Sequence, residues 1–165
     1  MRRALIAAAL AAGLLAPQAF MTPAAADESC TPPEDPEDGA LRCLALNVYW
    51  EARGRPLKSQ QAVAHVTLNR LASPDFPDTL CGVAKDGGEE TLHQCQFSWW
   101  CDGKSDRPDD GESWCQALQV ARDALAGRSK DPTGGALYFH LSTTSPEWAR
   151  KLQRTARIGK HIYYK

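Results

Sequence analysis

Leu41-Arg42-Cys43-Leu44-Ala45-Leu46-Asn47-Val48-Tyr49-Trp50-Glu51-Ala52-Arg53-Gly54 decides how the rest of the chain is read. Leu41, Leu44, Ala45, Val48 and Ala52 recur at helical spacing, so this segment predicts a helix from Leu41 to Arg53. Gly54 and then Pro56 supply the stop. Glu51 therefore falls in the last helical turn, next to the rings of Tyr49 and Trp50. Three influences there oppose ionisation: desolvation by the aromatic rings, the negative end of the helix dipole, and whatever packs over the cleft. A carboxyl held neutral near pH 7 can act as a general acid. Arg53 and Arg55 are expected to pull in the opposite direction.

Upstream, Met1-Arg2-Arg3, the apolar run Ala4 to Ala16 and the small residues Ala24-Ala25-Ala26 form the three parts of a secretory signal. The run is shorter than a bilayer span. Residues 1–26 are thus a signal peptide, and residues 27–39, rich in Pro, Asp and Glu, a flexible arm. The chain carries 19 basic and 20 acidic residues, and loss of Arg2 and Arg3 makes it more acidic. No basic field points to nucleic acid or to an anionic membrane. All six cysteines follow the signal (Cys30, Cys43, Cys81, Cys95, Cys101, Cys115), so disulfides are expected in an oxidising, periplasmic or extracellular, location. Their pairing stays open, with Cys95 to Cys101 the favoured local closure.

One domain, residues 40–165, is expected downstream. Ser59 offers a cap for a second helix running to about Ala72, with Ala62, Val63, Val66 and Leu71 as its core stripe. Asp78 or Thr79 caps a short turn through Leu80 to Ala84. A polar stretch with the aromatic island Gln96-Phe97-Ser98-Trp99-Trp100 follows, then a helix from Ser113 to Ala126 closed by Gly127. Ala136 to His140 predicts a strand or extended wall. Ser145-Pro146 starts a last short helix with Pro at its first position, and Ala156 to Tyr164 is a hairpin or extended segment turning at Gly159.

Several ordered blocks resemble the SleB-type cell wall hydrolases, the family of spore cortex-lytic enzymes. They are Tyr49-Trp50-Glu51-Ala52-Arg53-Gly54, Ala62-Val63-Ala64 with Leu68-Asn69-Arg70, Phe76 to Val83, Gln96-Phe97-Ser98, Asp131 to Phe139, and Ile158 to Tyr164. In order, they span nearly all of the chain from Leu41 to Tyr164. The resemblance implies a mainly α, lysozyme-like single domain with a small extended or hairpin element. It also implies cleavage of peptidoglycan between N-acetylmuramic acid and N-acetylglucosamine, with Glu51 as the general acid.

Ordinary glycoside hydrolysis uses two carboxylates, and only Glu51 stands out. Asp102, Asp106, Asp109, Asp110 and Glu112 form a polar run that is either a solvated face or the source of a second carboxylate. A single acid fits a lytic transglycosylase, in which the muramic 6-hydroxyl attacks its own anomeric carbon. Phe97, Trp99 and Trp100 either stack on sugar rings or form a small core pinned by Cys95 and Cys101, while Gln96 and Ser98 offer hydrogen bonds. Tyr138 and Tyr163 are cleft walls or core aromatics, and His161 a cleft hydrogen-bonder. No cofactor is expected: His65, His93, His140 and His161 lack zinc-ligand spacing, which weakens a zinc amidase reading. A glycan-binding module without turnover is the other alternative. The expected partner is the peptidoglycan glycan strand, met by a monomer without membrane insertion.

Overall fold

In the computed structural model, the residues described are Cys30, 39–87 and 94–165. The predicted signal peptide, most of the arm and His93 lie outside them. The domain is four helices with a small sheet at one side: α1 Gly39–Ala52, α2 Leu57–Leu71, α3 Leu80–Ala84, α4 Gly111–Leu125, β1 Tyr138–Leu141, β2 Arg154–Ile158 and β3 His161–Tyr164. Among the described residues, 3-10 turns also cover Ser98–Cys101 and Glu147–Lys151.

α1 is buried on all sides from Cys43 to Tyr49, as expected of a helix apolar around most of its circumference. It packs against α2, α3 and α4. Leu44, Val48, Val63, Val83 and Leu118 are fully buried around it, each contributing about 1.5–3 kcal/mol by leaving water. The bridge Cys43–Cys81 ties α1 to α3, and Cys30–Cys115 ties Cys30 to α4. Cys95–Cys101, the closure favoured from the sequence, clamps the aromatic turn.

The helix starts differ from expectation in instructive ways. α2 begins at Leu57 with Pro56 at its N-cap, and Ser59 is buried inside the helix without capping it. The fixed φ of proline starts the helix three residues earlier than the Ser59 hydroxyl cap would. Thr79 caps α3, accepting from the Gly82 N–H. α4 starts at Gly111, where the Asp110 carboxylate accepts from the Ser113 N–H. Pro146 is the N-cap of its segment and not its first residue, and that segment is 3-10 throughout.

The sheet has the order β1-β3-β2, antiparallel throughout, so the last strand lies in the centre. Phe139 pairs with Tyr163, and Ile158 with His161. Ala136, Ile158 and Tyr163 on the inner face pack with Ala62 and Val66 of α2. Gly159 turns the β2–β3 hairpin at φ +55°, a conformation glycine adopts without steric cost. On the outer face, Tyr138, His140 and Tyr164 gather around Trp148.

Candidate active site

Glu51 sits in the last turn of α1, which Gly54 ends at φ +69°. The residue is half-buried and lines a cleft of about 820 Å³, together with Trp50, Ser98, Trp99 and the loop carrying Asp102, Asp106 and Asp109. Burial lifts its pKa from the ordinary 4.5 to about 7, and the Arg70 guanidinium opposes that rise. The expected role of Arg53 is corrected. Its guanidinium turns away to Asp109, 2.9 Å distant, and lies over the rings of Tyr49 and Trp50. Arg55 bears instead on His161, whose pKa is lowered first by burial and then by Arg55 and His140.

The neighbouring loop is held by α1 itself. The Tyr49 hydroxyl donates to Asp109 Oδ1 at 2.7 Å and accepts from the backbone N–H groups of Asp109 and Asp110 and from Arg53 Nη1. Trp50 Nε1 donates to the Asp106 carbonyl at 3.4 Å. The acidic run therefore has mixed duties. Asp110 caps α4, Glu112 lies in its first turn, and Asp102, Asp106 and Asp109 face the cleft. The Asp106 carboxyl is raised above its ordinary value, first by burial and then by Asp102.

The aromatic turn divides its residues. Ser98 and Trp99 face the Glu51 cleft, while Gln96 and Tyr138 line a second cavity. Phe97, expected as a possible sugar platform, is 2 % exposed and lies in the core against Phe139 and the Arg70 guanidinium. It has no free face to offer a pyranose. Trp99 is largely buried, and its indole N–H donates to Asn47 Oδ1 at 2.9 Å. Asn47 Nδ2 in turn donates to Thr67 Oγ1, which donates to the Val63 carbonyl. This buried polar chain fixes the turn to α1 and α2. His161 is half-buried, edge-on to Phe139.

Two further groups bear on Glu51. Tyr163 is fully buried, its hydroxyl has no hydrogen-bond partner, and burial and the Glu51 charge both keep the phenol protonated. Arg70 is buried and faces Glu51 through space. Sequence reading passed over Arg70 and Asn47; the available signal was a polar residue on an otherwise apolar helical face. The described histidines stand apart: His65 pairs with Ser129 Oγ, and His140 with the Tyr164 hydroxyl. Among the described residues no three His, Cys, Asp or Glu side chains converge as metal ligands.

Residues 54–164 match the Cell Wall Hydrolase family, Hydrolase_2; Glu51 lies just ahead of that span. The spore cortex-lytic enzyme of Halalkalibacterium halodurans is 36% identical over 149 residues, covering 90% of this chain and 41% of that protein. The spore cortex-lytic enzyme of Bacillus subtilis is 36% identical over 126 residues, covering 74% of this chain and 36% of its own length. The chain thus spans about two fifths of the length of these curated relatives. Among solved structures, the catalytic domain of the Bacillus cereus SleB protein superposes with a TM-score of 0.63 at 33% identity, covering 81% of this chain and 94% of that one. The catalytic domain of the germination-specific lytic transglycosylase SleB from Bacillus anthracis superposes with a TM-score of 0.59 at 30% identity, covering 87% of this chain and all of the other.

Proposed function

Because the chain belongs to the cell wall hydrolase family, we propose that it cleaves the glycan strand of peptidoglycan between N-acetylmuramic acid and N-acetylglucosamine, as a lytic transglycosylase. The observation that carries this reading is Glu51: a carboxyl that burial keeps protonated up to about pH 7, open to a cleft of sugar-sized volume. Glu51 gives its proton to the glycosidic oxygen as the bond from that oxygen to the muramic anomeric carbon breaks. The 6-hydroxyl of the same muramic residue then attacks the anomeric carbon and returns a proton to the carboxylate. The products are a 1,6-anhydromuramic end and a free 4-hydroxyl. Water is not consumed, so neither a second carboxylate nor a metal is required.

The substrate-binding set we propose is Gln96, Ser98, Trp99, Tyr138 and His161, with Phe97 acting from behind as packing. The three disulfides among the described residues fit residence in an oxidising compartment, and we assign the domain to the periplasm or the exterior. A hydrolytic muramidase is the second reading, favoured by Asp106 lining the same cleft as Glu51. Mass spectrometry of muropeptides released from purified peptidoglycan separates them. Anhydromuramyl ends with the wild type, and none with Glu51→Gln, are expected. Reducing ends that disappear in Asp106→Asn would establish the hydrolase, and absence of any Glu51-dependent product would remove both.

A further inference from the structure

The second cavity, about 620 Å³, is lined by Arg70, Gln94, Gln96, Tyr138, Trp148 and Lys151 among others. Its wall is chemically one-sided. Two cations, two primary amides and aromatic faces surround it, and among the described residues no carboxylate lines it.

Arg70 is the informative group. It is 4 % exposed, and its guanidinium lies 4.8 Å from the centre of the Phe97 ring, 5.0 Å from Phe76 and 5.8 Å from Tyr138. Its Nε donates to the Leu137 carbonyl at 2.7 Å, but Nη1 has no partner. Among the described residues no carboxylate forms an ion pair with it; Glu51 and Asp86 act on it only through space. A desolvated cation with an unmet N–H is held at a cost, and burial accordingly lowers its pKa from 12.5 to about 10. Lys151 stands exposed at the opening, likewise without an ion-pair partner among the described residues.

We propose that this cavity binds a carboxylate carried by the glycan, either the lactyl group of a bare muramic residue or the acidic end of a peptide attached to it. The inference rests on the peptidoglycan reading above. Arg70 and Lys151 meet the charge, since a guanidinium suits a planar carboxylate. Gln94 and Gln96 meet amide groups beside it, and Tyr138 and Trp148 cover the apolar stem. The domain therefore selects glycan by its free carboxylates, one cavity away from the bond it cuts.

Co-sedimentation of the Glu51→Gln protein with insoluble peptidoglycan tests this without turnover. Three polymers are compared: untreated, stripped of peptides but retaining lactyl carboxylates, and with all carboxylates amidated by carbodiimide and methylamine. Affinity about tenfold weaker for the amidated polymer is expected, with Lys151→Glu removing most of that difference. Retained affinity for the stripped polymer assigns the lactyl group, and its loss assigns the peptide. Equal binding to amidated and untreated polymers overturns the proposal. So does an equal loss in Lys160→Glu, an exposed charge reversal outside the cavity. Wild-type protein that cuts amidated and untreated polymer equally well would overturn carboxylate selection alone, whereas failure to cut any of the three would remove the reaction on which it rests.

Discussion

The placement of Glu51 was readable from the sequence because its position at a helix end beside aromatic residues is a local property. Its charged neighbours were not, because periodicity assigns a face and not a direction. Arg53 is adjacent in sequence yet bonded to Asp109, whereas Arg70, on another helix, supplies the opposing charge. Two predictions follow from a pKa of about 7. If protonated Glu51 is the acid, kcat/KM should fall about tenfold per pH unit above pH 7, and a flat profile from pH 6 to 9 would contradict the role. Stability should carry the same signature. The folded pKa lies above the ordinary 4.5, so the folded state holds the proton more tightly between those values and loses stability as pH rises through that window. Glu51→Gln should therefore be more stable than wild type at pH 8, by about 1–3 kcal/mol, with the gap closing toward pH 4.5. Thermal melts of both proteins at the two pH values measure it; a less stable variant at pH 8 would show that burial does not strain this carboxyl.

The three long helices were readable because each has its own apolar stripe and stop residue, whereas α3 was read only as a short capped turn. The partnerships between elements were not, since nothing local tells Tyr49 that its hydroxyl will meet Asp109 and Asp110, or tells Phe97 that Arg70 will cover its ring. The end of α1 and the loop before α4 behave as one unit through that hydroxyl. Tyr49→Phe keeps the ring in the core but leaves two backbone N–H groups and a carboxylate without their partner. Urea unfolding should show a loss of about 1–3 kcal/mol, and turnover should fall as the wall carrying Asp106 loosens. Unchanged stability and turnover would mean that the loop is held by other contacts.

Across the molecule, Cys30–Cys115 and Cys43–Cys81 join parts that the sequence could not pair, because their pairing depends on how the helices pack, whereas the local Cys95–Cys101 closure was favoured from spacing alone. Cys43–Cys81 closes 38 residues and Cys95–Cys101 only 6. Chain entropy then predicts a loss of about 4 kcal/mol for Cys43→Ala with Cys81→Ala, and about 2 for Cys95→Ala with Cys101→Ala. The second pair should nevertheless damage activity more, since the turn it clamps carries Ser98 and Trp99. Denaturation and turnover of the two double variants check the ordering, and equal activities would detach the clamp from the cleft. The sheet order adds a constraint. β1 and β2 are not paired with each other; within the sheet each bonds only to β3, the last of the three in the chain. Until β3 is in place, β1 and β2 have no partner within the sheet. The wall near Glu51 that includes Tyr163 therefore depends on residues 161–164 lying between the other two strands.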